Sequence, residues 1–118
     1  NLMQTYPKID GVLAANDAMA TGVAEALEGA NRKALIVGIN GSKEAVEAIR
    51  AGKMLASGDA APFLQGCFAT MSVIRAVRKM PVPKEIIFPA IVVEKATLAN
   101  YDLPPEKQSC PTWESIVR

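Results

Sequence analysis

The stretch GVLAANDAMATG, residues 11–22, decides how this chain is read, because its pattern changes in the middle. Residues 11–15 are small or apolar without interruption, as in a short buried strand. After the Asn16-Asp17 pair, Met19, Val23 and Leu27 recur at i, i+4 and i+8, with Ala20 and Ala24 beside them. That spacing is the period of one helix face. A strand that gives way to a helix across two short polar residues is the first half of a β-α-β unit. One side chain suffices to cap the helix, and Asp17 is expected to do so, accepting a backbone N–H and favouring the helix dipole. Asn16 is then left over. Its amide carries donors and an acceptor, which suits a ligand hydroxyl; a plain turn residue is the competing role.

The same arrangement recurs downstream. KALIVGIN (33–40) is a continuous apolar run of the kind found in a strand covered on both faces, and it ends in Asn40 before Gly41 and a candidate N-cap, Ser42. A short helix follows, with Ala45, Val46 and Ile49 on one side and Gly52 closing it. KMLASG (53–58) reads as a third strand, running into Asp59. Pro62 suits the first turn of a longer helix, whose expected buried stripe is Leu64, Cys67, Phe68, Met71, Ile74 and Val77. MPVPK (80–84) is a stiff loop, and EIIFPAIVVEKA (85–96) reads as a fourth strand that Pro89 confines to an edge or a crossing point. The tail beyond residue 101 holds Pro104, Pro105 and Pro111; at its end Trp113, Ile116 and Val117 either form a one-turn helix or stay disordered.

The order β-α-β-α-β-α-β predicts an α/β fold, a mainly parallel sheet flanked by helices. Ligands in such sheets gather at the carboxyl ends of the strands, and here three strands end at Asn16, Asn40 and Asp59. Asn40 reads either as a turn residue tolerating an unusual backbone conformation or as a hydrogen-bonding group over the strand end. Asp59 reads as a cap-like residue near Pro62, a solvated loop charge, or a third ligand contact.

Composition excludes several other functions. Half the residues are apolar and only 5% aromatic, so the core is aliphatic. Thirteen basic side chains against twelve acidic leave a charge of +1 with no basic cluster, so nucleic acid and acidic membranes have no electrostatic footprint. No apolar run approaches a membrane span, and residues 1–4 do not resemble the start of a signal peptide. There is no histidine, which removes the commonest general base and metal ligand. Cys67 and Cys110 lie far apart with no CxxC spacing, so neither a metal site nor a cofactor is expected. The two are read as free thiols, with a disulfide as the alternative in an oxidising compartment. Ser42, Ser57, Ser72, Ser109 and Ser115 have no histidine to activate them, and none lies in a GxSxG elbow. Glu44 and Glu47 read as solvated charges on a helix surface, and GINGS lacks the glycine spacing and lysine of a phosphate cradle. The expected activity is binding, not turnover.

Taken together, IDGVLAANDAMATGVAEAL, ALIVGINGSKEAVEAIRAGKMLAS and IFPAIVVEKATLANY resemble the type I periplasmic sugar-binding proteins of ABC transporters, the ribose- and galactose-binding group. The resemblance runs from residue 9 to about residue 101. ANDAMATG also occurs in effector domains of lactose-type repressors, so a sugar-responsive regulator is the alternative; AIRAGKMLAS favours the transport branch. A third alternative is an excised, self-associating domain with no ligand of its own. The resemblance implies that Asn16 and Asn40 bond sugar hydroxyls. Asn40 stands where the family usually has Asp, and the family's third polar position falls on Ala60, with Asp59 beside it as the substitute. It further implies a periplasmic location, a small sugar or polyol as ligand, an ABC permease as partner, and an incomplete binding-protein lobe. Residues 1–59 would belong to one lobe, 60–88 would cross to the other, 89–101 would return, and 102–118 would be a tail. A piece of this kind is expected to self-associate or to need the missing part.

Overall fold

The computed structural model describes residues 2–102 and 107–117. Helix α1 (Leu2–Thr5) precedes strand β1 (Gly11–Leu13), helix α2 (Asp17–Gly29), β2 (Leu35–Ile39), α3 (Lys43–Arg50), β3 (Ala56–Asp59), α4 (Pro62–Val77) and β4 (Ile91–Val93). A 3-10 turn (Leu98–Tyr101) and a one-turn helix α5 (Trp113–Ile116) complete the described chain. Pro104 and Pro105 of the tail lie outside the described residues.

The strands form one sheet in the order β1-β2-β3-β4. The β1–β2 and β2–β3 pairs are parallel, and β4 adds antiparallel at the edge through Ser57↔Val93, Gly58↔Val92 and Asp59↔Ile91. The mainly parallel sheet thus forms as expected, and Pro89 precedes an edge strand. The strand itself is shorter than the 85–96 run, because the residues flanking Pro89 lie outside the ladder.

Successive parallel strands step the same way across the sheet, so right-handed crossovers place α2 and α3 on the same face. The core lies there: Ala20, Ala24 and Leu27 from α2, Ala45, Val46 and Ile49 from α3, and Ile36 and Val93 from the sheet. Met19 does not join it. The sheet-facing line of α2 runs through Asp17, Ala20, Ala24 and Leu27, which turns Met19 out to solvent. Strand β2 is not covered on both faces either, for Leu35 and Ile39 are exposed beside Leu13 and Val92. Both crossovers lie on the opposite side, and no described element covers this face.

Helix α4 departs further from expectation. Pro62 opens it as predicted, but of its proposed stripe only Cys67 and Phe68 are buried, while Ile74 and Val77 are exposed. No strand or helix of the sheet body lies along it. Its partners are Phe88, with ring centroids 5.6 Å apart, and Trp113, at 5.9 Å from Phe68. Cys67 and Cys110 are not free thiols: they form a disulfide with Cα atoms 5.7 Å apart. Folding the tail back onto α4 brings the two together, a proximity that spacing along the chain does not reveal.

Candidate functional site

Two polar residues compete to start α2, and the cap falls to Asn16 instead of Asp17, the residue expected to take it. Asn16 is the N-cap: its Oδ1 accepts from Met19 N at 2.9 Å, with extended backbone at Asn16 itself. Asp17 is 2% exposed and faces inward. Its Oδ1 accepts from the Ser57 hydroxyl at 2.7 Å and its Oδ2 from the Ser42 backbone N–H at 2.8 Å. Ser57 Oγ in turn accepts from Gly41 N at 3.0 Å. One buried carboxylate therefore clamps the start of α2, the β2–α3 turn and strand β3 together. Each of its oxygens has a donor, which is what a charge removed from water requires.

Glycine makes room for the clamp. A Cβ at Gly38 would collide with Asp17 Oδ1 and come within 3.1 Å of Ala20 Cβ. Gly41 has φ +64°, and a Cβ there would lie 2.9 Å from Asp59 Cβ. Side chains are thus excluded in strand β2 at Gly38 and in the following turn at Gly41.

Above the clamp, at the carboxyl ends of β1 and β2, lies an open hollow of about 330 Å³ lined by Asn16, Asp17, Ala18, Thr21, Asn40, Ser42 and Glu44. The structure brings Asn16 and Asn40 to this one hollow. Because Met19 N occupies Asn16 Oδ1, what Asn16 has left to offer is its amide N–H pair. The exposed Asn40 amide has no protein partner among the described residues, while its backbone N donates to Gly58 O at 2.8 Å. Asn40 holds φ 127°, a conformation L side chains rarely adopt. Such backbone persists where the surroundings impose it, and it concentrates at ligand sites. Ser42 caps α3 as expected, accepting from Ala45 N at 3.2 Å.

Asp59 does not line the hollow. Its Oδ1 accepts from Ala61 N at 2.7 Å and its Oδ2 from the Tyr101 hydroxyl at 2.9 Å. Burial, with the Asp59 carboxylate beside it, pushes the Tyr101 phenol up to about 12. Ala60, next in the chain, is exposed and brings no polar side chain.

Sequence reasoning missed three residues. Ser57 carried no assigned role, yet its hydroxyl joins Asp17 to Gly41. The available signal was a small polar residue in a strand, and it pairs directly with Gly38 in the neighbouring strand. Glu44, read as surface charge, stands at the rim of the hollow. Its own backbone N–H and the Ser42 hydroxyl hold its carboxyl below the usual carboxylate value, so it is an acceptor at neutral pH. Tyr101, the third, has no local pattern that points to Asp59. A larger hollow of about 560 Å³ opens at the other end of the sheet. Several of its charged groups are already engaged: Arg32 donates to Met3, Tyr6 and Pro7 carbonyls, and Lys53 to Glu28.

Comparison with known proteins gives the family and the fold. Residues 1–80 match the family model described as a periplasmic binding protein domain. The ribose import binding protein of Haemophilus influenzae is 32% identical over 93 residues, covering 74% of this chain and 32% of that protein. The D-allose-binding periplasmic protein of Escherichia coli is 42% identical over 59 residues, 48% of this chain and 19% of its own length. Among solved structures, a periplasmic solute-binding protein of an ABC transporter from Actinobacillus succinogenes, with bound D-allose, superposes with a TM-score of 0.80 at 32% identity. That match covers 85% of this chain and 36% of the other. A solute-binding protein from Bacillus halodurans with bound myo-inositol gives 0.79 at 26%, over 86% and 35%. The chain thus spans about a third of the length of the first of these curated relatives. It belongs to the periplasmic binding protein family.

Proposed function

We propose that this chain is part of the ligand-capture component of an ABC importer and takes a small sugar or polyol between two lobes. The observation that carries the reading is the convergence of Asn16 and Asn40 on one hollow at the carboxyl ends of parallel strands, held there by the Asp17 clamp. Asn16 gives its amide N–H groups to ring hydroxyl oxygens. Asn40, with a whole amide unengaged, both donates and accepts, and Glu44 accepts at the rim. The ribose, allose and myo-inositol named for the related proteins are all polyhydroxylated, which is the chemistry these groups suit.

In this reading residues 1–59 and 89–101 build one lobe and residues 60–88 reach into the other. Asp59 is kept at the edge of the site as a positioning residue, holding the turn into α4 through Ala61 N. The closed, liganded form docks on a membrane permease from the periplasm, a compartment in which a disulfide such as Cys67–Cys110 persists.

A thermal-shift screen of pentoses, hexoses and polyols against the full-length protein identifies the ligand, and calorimetry then tests the site. Asn16→Ala and Asn40→Ala are each expected to weaken binding by ~10- to 100-fold, the loss of one or two hydrogen bonds to a desolvated hydroxyl. Unchanged affinity in both variants overturns the assignment.

A further inference from the structure

Asn40 is the one asparagine of the chain that glycine follows; Asn1, Asn16, Asn31 and Asn100 precede Leu, Asp, Arg and Tyr. In an Asn-Gly pair no side chain shields the glycine nitrogen, which can close on the asparagine's own amide carbon. The fold keeps this pair in place. Gly41 holds φ +64°, and a Cβ there would meet the Asp59 side chain, so any other residue is strained. Asn40 is exposed, its amide has no protein partner among the described residues, and its φ of 127° is strained backbone. Asn16, by contrast, has its Oδ1 tied to Met19 N.

The surroundings also supply a path for the proton that such a ring closure must move. The Gly41 N–H donates to Ser57 Oγ at 3.0 Å, and the Ser57 hydroxyl donates to Asp17 Oδ1 at 2.7 Å. Asp17 is buried, and a hydroxyl that donates to a buried carboxylate accepts a proton more readily from its other side.

We propose that Asn40 is a self-modifying position, converted in the folded protein to aspartate and isoaspartate through Gly41, with Ser57 and Asp17 relaying the proton. The Gly41 nitrogen bonds to Asn40 Cγ and passes its proton to Ser57 as Ser57 passes its own to Asp17. The bond from Cγ to the side-chain nitrogen then breaks, and that nitrogen takes the proton back and leaves as ammonia. Water opens the resulting succinimide at either carbonyl. One opening restores the ordinary backbone with a carboxylate at position 40; the other routes the backbone through the former side chain. The balance is one water in and one ammonia out, with nothing oxidised or reduced.

The consequence for binding rests on the reading above that Asn40 meets the ligand. The carboxylate product accepts but no longer donates, so a ligand that uses both is held less tightly. The isoaspartate product does more. It adds a carbon to a segment pinned by Asn40 N to Gly58 O at 2.8 Å and by Ser42 N to Asp17 Oδ2 at 2.8 Å, and so slackens the clamp.

The test follows the full-length protein without added sugar, at physiological temperature and mildly alkaline pH. Peptide mapping by mass spectrometry reads the gain that marks an amide replaced by an acid, and electron-transfer fragmentation separates aspartate from isoaspartate. Conversion at position 40 is expected to run at least tenfold faster than at Asn16, Asn31 and Asn100, and at least as fast as in the same protein unfolded in urea. Ser57→Ala is expected to slow it threefold or more, and Ser57→Thr, which keeps the hydroxyl, to restore it. Slower conversion in the folded protein than in urea overturns the proposal, because the fold would then shield the pair. So does a Ser57→Ala rate equal to or above the native rate while α2 and α3 keep their amide protection. If Ser57→Ala loosens the fold, the comparison of folded with unfolded native protein still decides. Because mass and not affinity is read, this failure is separate from failure of the Asn16 and Asn40 assignment, which calorimetry on freshly prepared protein tests.

Discussion

Asn16 and Asp17 show how two adjacent residues with similar local preferences divide their work. Both can cap a helix, and local reasoning gave the cap to Asp17. The structure gives it to Asn16 and buries Asp17, because only a side chain at position 17 points inward to reach Ser42 N and Ser57 Oγ. Replacing Asp17 by Ala strands the Ser57 hydroxyl and the Ser42 N–H, and is expected to cost ~2–4 kcal/mol of stability. Gly38→Ala forces a methyl into the space of Asp17 Oδ1 and is expected to cost ~1–3 kcal/mol. Since the collision is with Asp17 itself, the two changes are coupled. In urea unfolding, Gly38→Ala should cost at least ~1 kcal/mol less in the Asp17→Ala background than alone. Strict additivity would show that the glycine is needed for some other reason.

At the scale of elements, periodicity located β1, α2, β2, α3 and the start of α4, because each is marked by its own neighbours along the chain. It misjudged faces. Met19 satisfies a helical period as well as Ala20 does, and only the sheet beneath α2 chooses between them. The α4 stripe is the extreme case: a regular apolar period is buried only where something lies against it, and only Cys67 and Phe68 are buried. The link between the 3-10 turn and the end of β3 gives a test by pH. The Tyr101 phenol is raised to about 12 in the folded chain, above the ordinary value near 10. The folded state therefore favours the protonated form. Its contribution is complete below pH ~10 and is lost as the pH rises through ~12. Tyr101 is half-buried, so solvent screening limits the contribution to about 1 kcal/mol. The stability difference between the native chain and Tyr101→Phe should shrink across that window. A constant difference would show that the Asp59 bond adds nothing.

At the scale of the whole molecule, the chain is long and thin for its size. Its radius of gyration is 18.1 Å, with extents of 59 × 28 × 20 Å, where a compact domain of this length has about 13–14 Å. One face of the sheet is apolar and bare, with Leu13, Leu35, Ile39 and Val92 exposed. The isolated chain is accordingly expected to associate at micromolar concentration, read by light scattering. A stable monomer with cooperative unfolding would overturn that expectation. The sequence by itself determined the alternation of strands and helices, the mainly parallel sheet, and Asn16 and Asn40 as polar residues at strand ends. These follow from residue spacing and from rules of chain connection that act over short stretches. Only the tertiary structure decided that Asp17 is a buried clamp, that Ser57 and Tyr101 matter, that Asp59 turns away from the hollow, and that Cys67 meets Cys110. Each of those depends on atoms from distant parts of the chain arriving at one place, and no local pattern of burial or propensity records such an encounter.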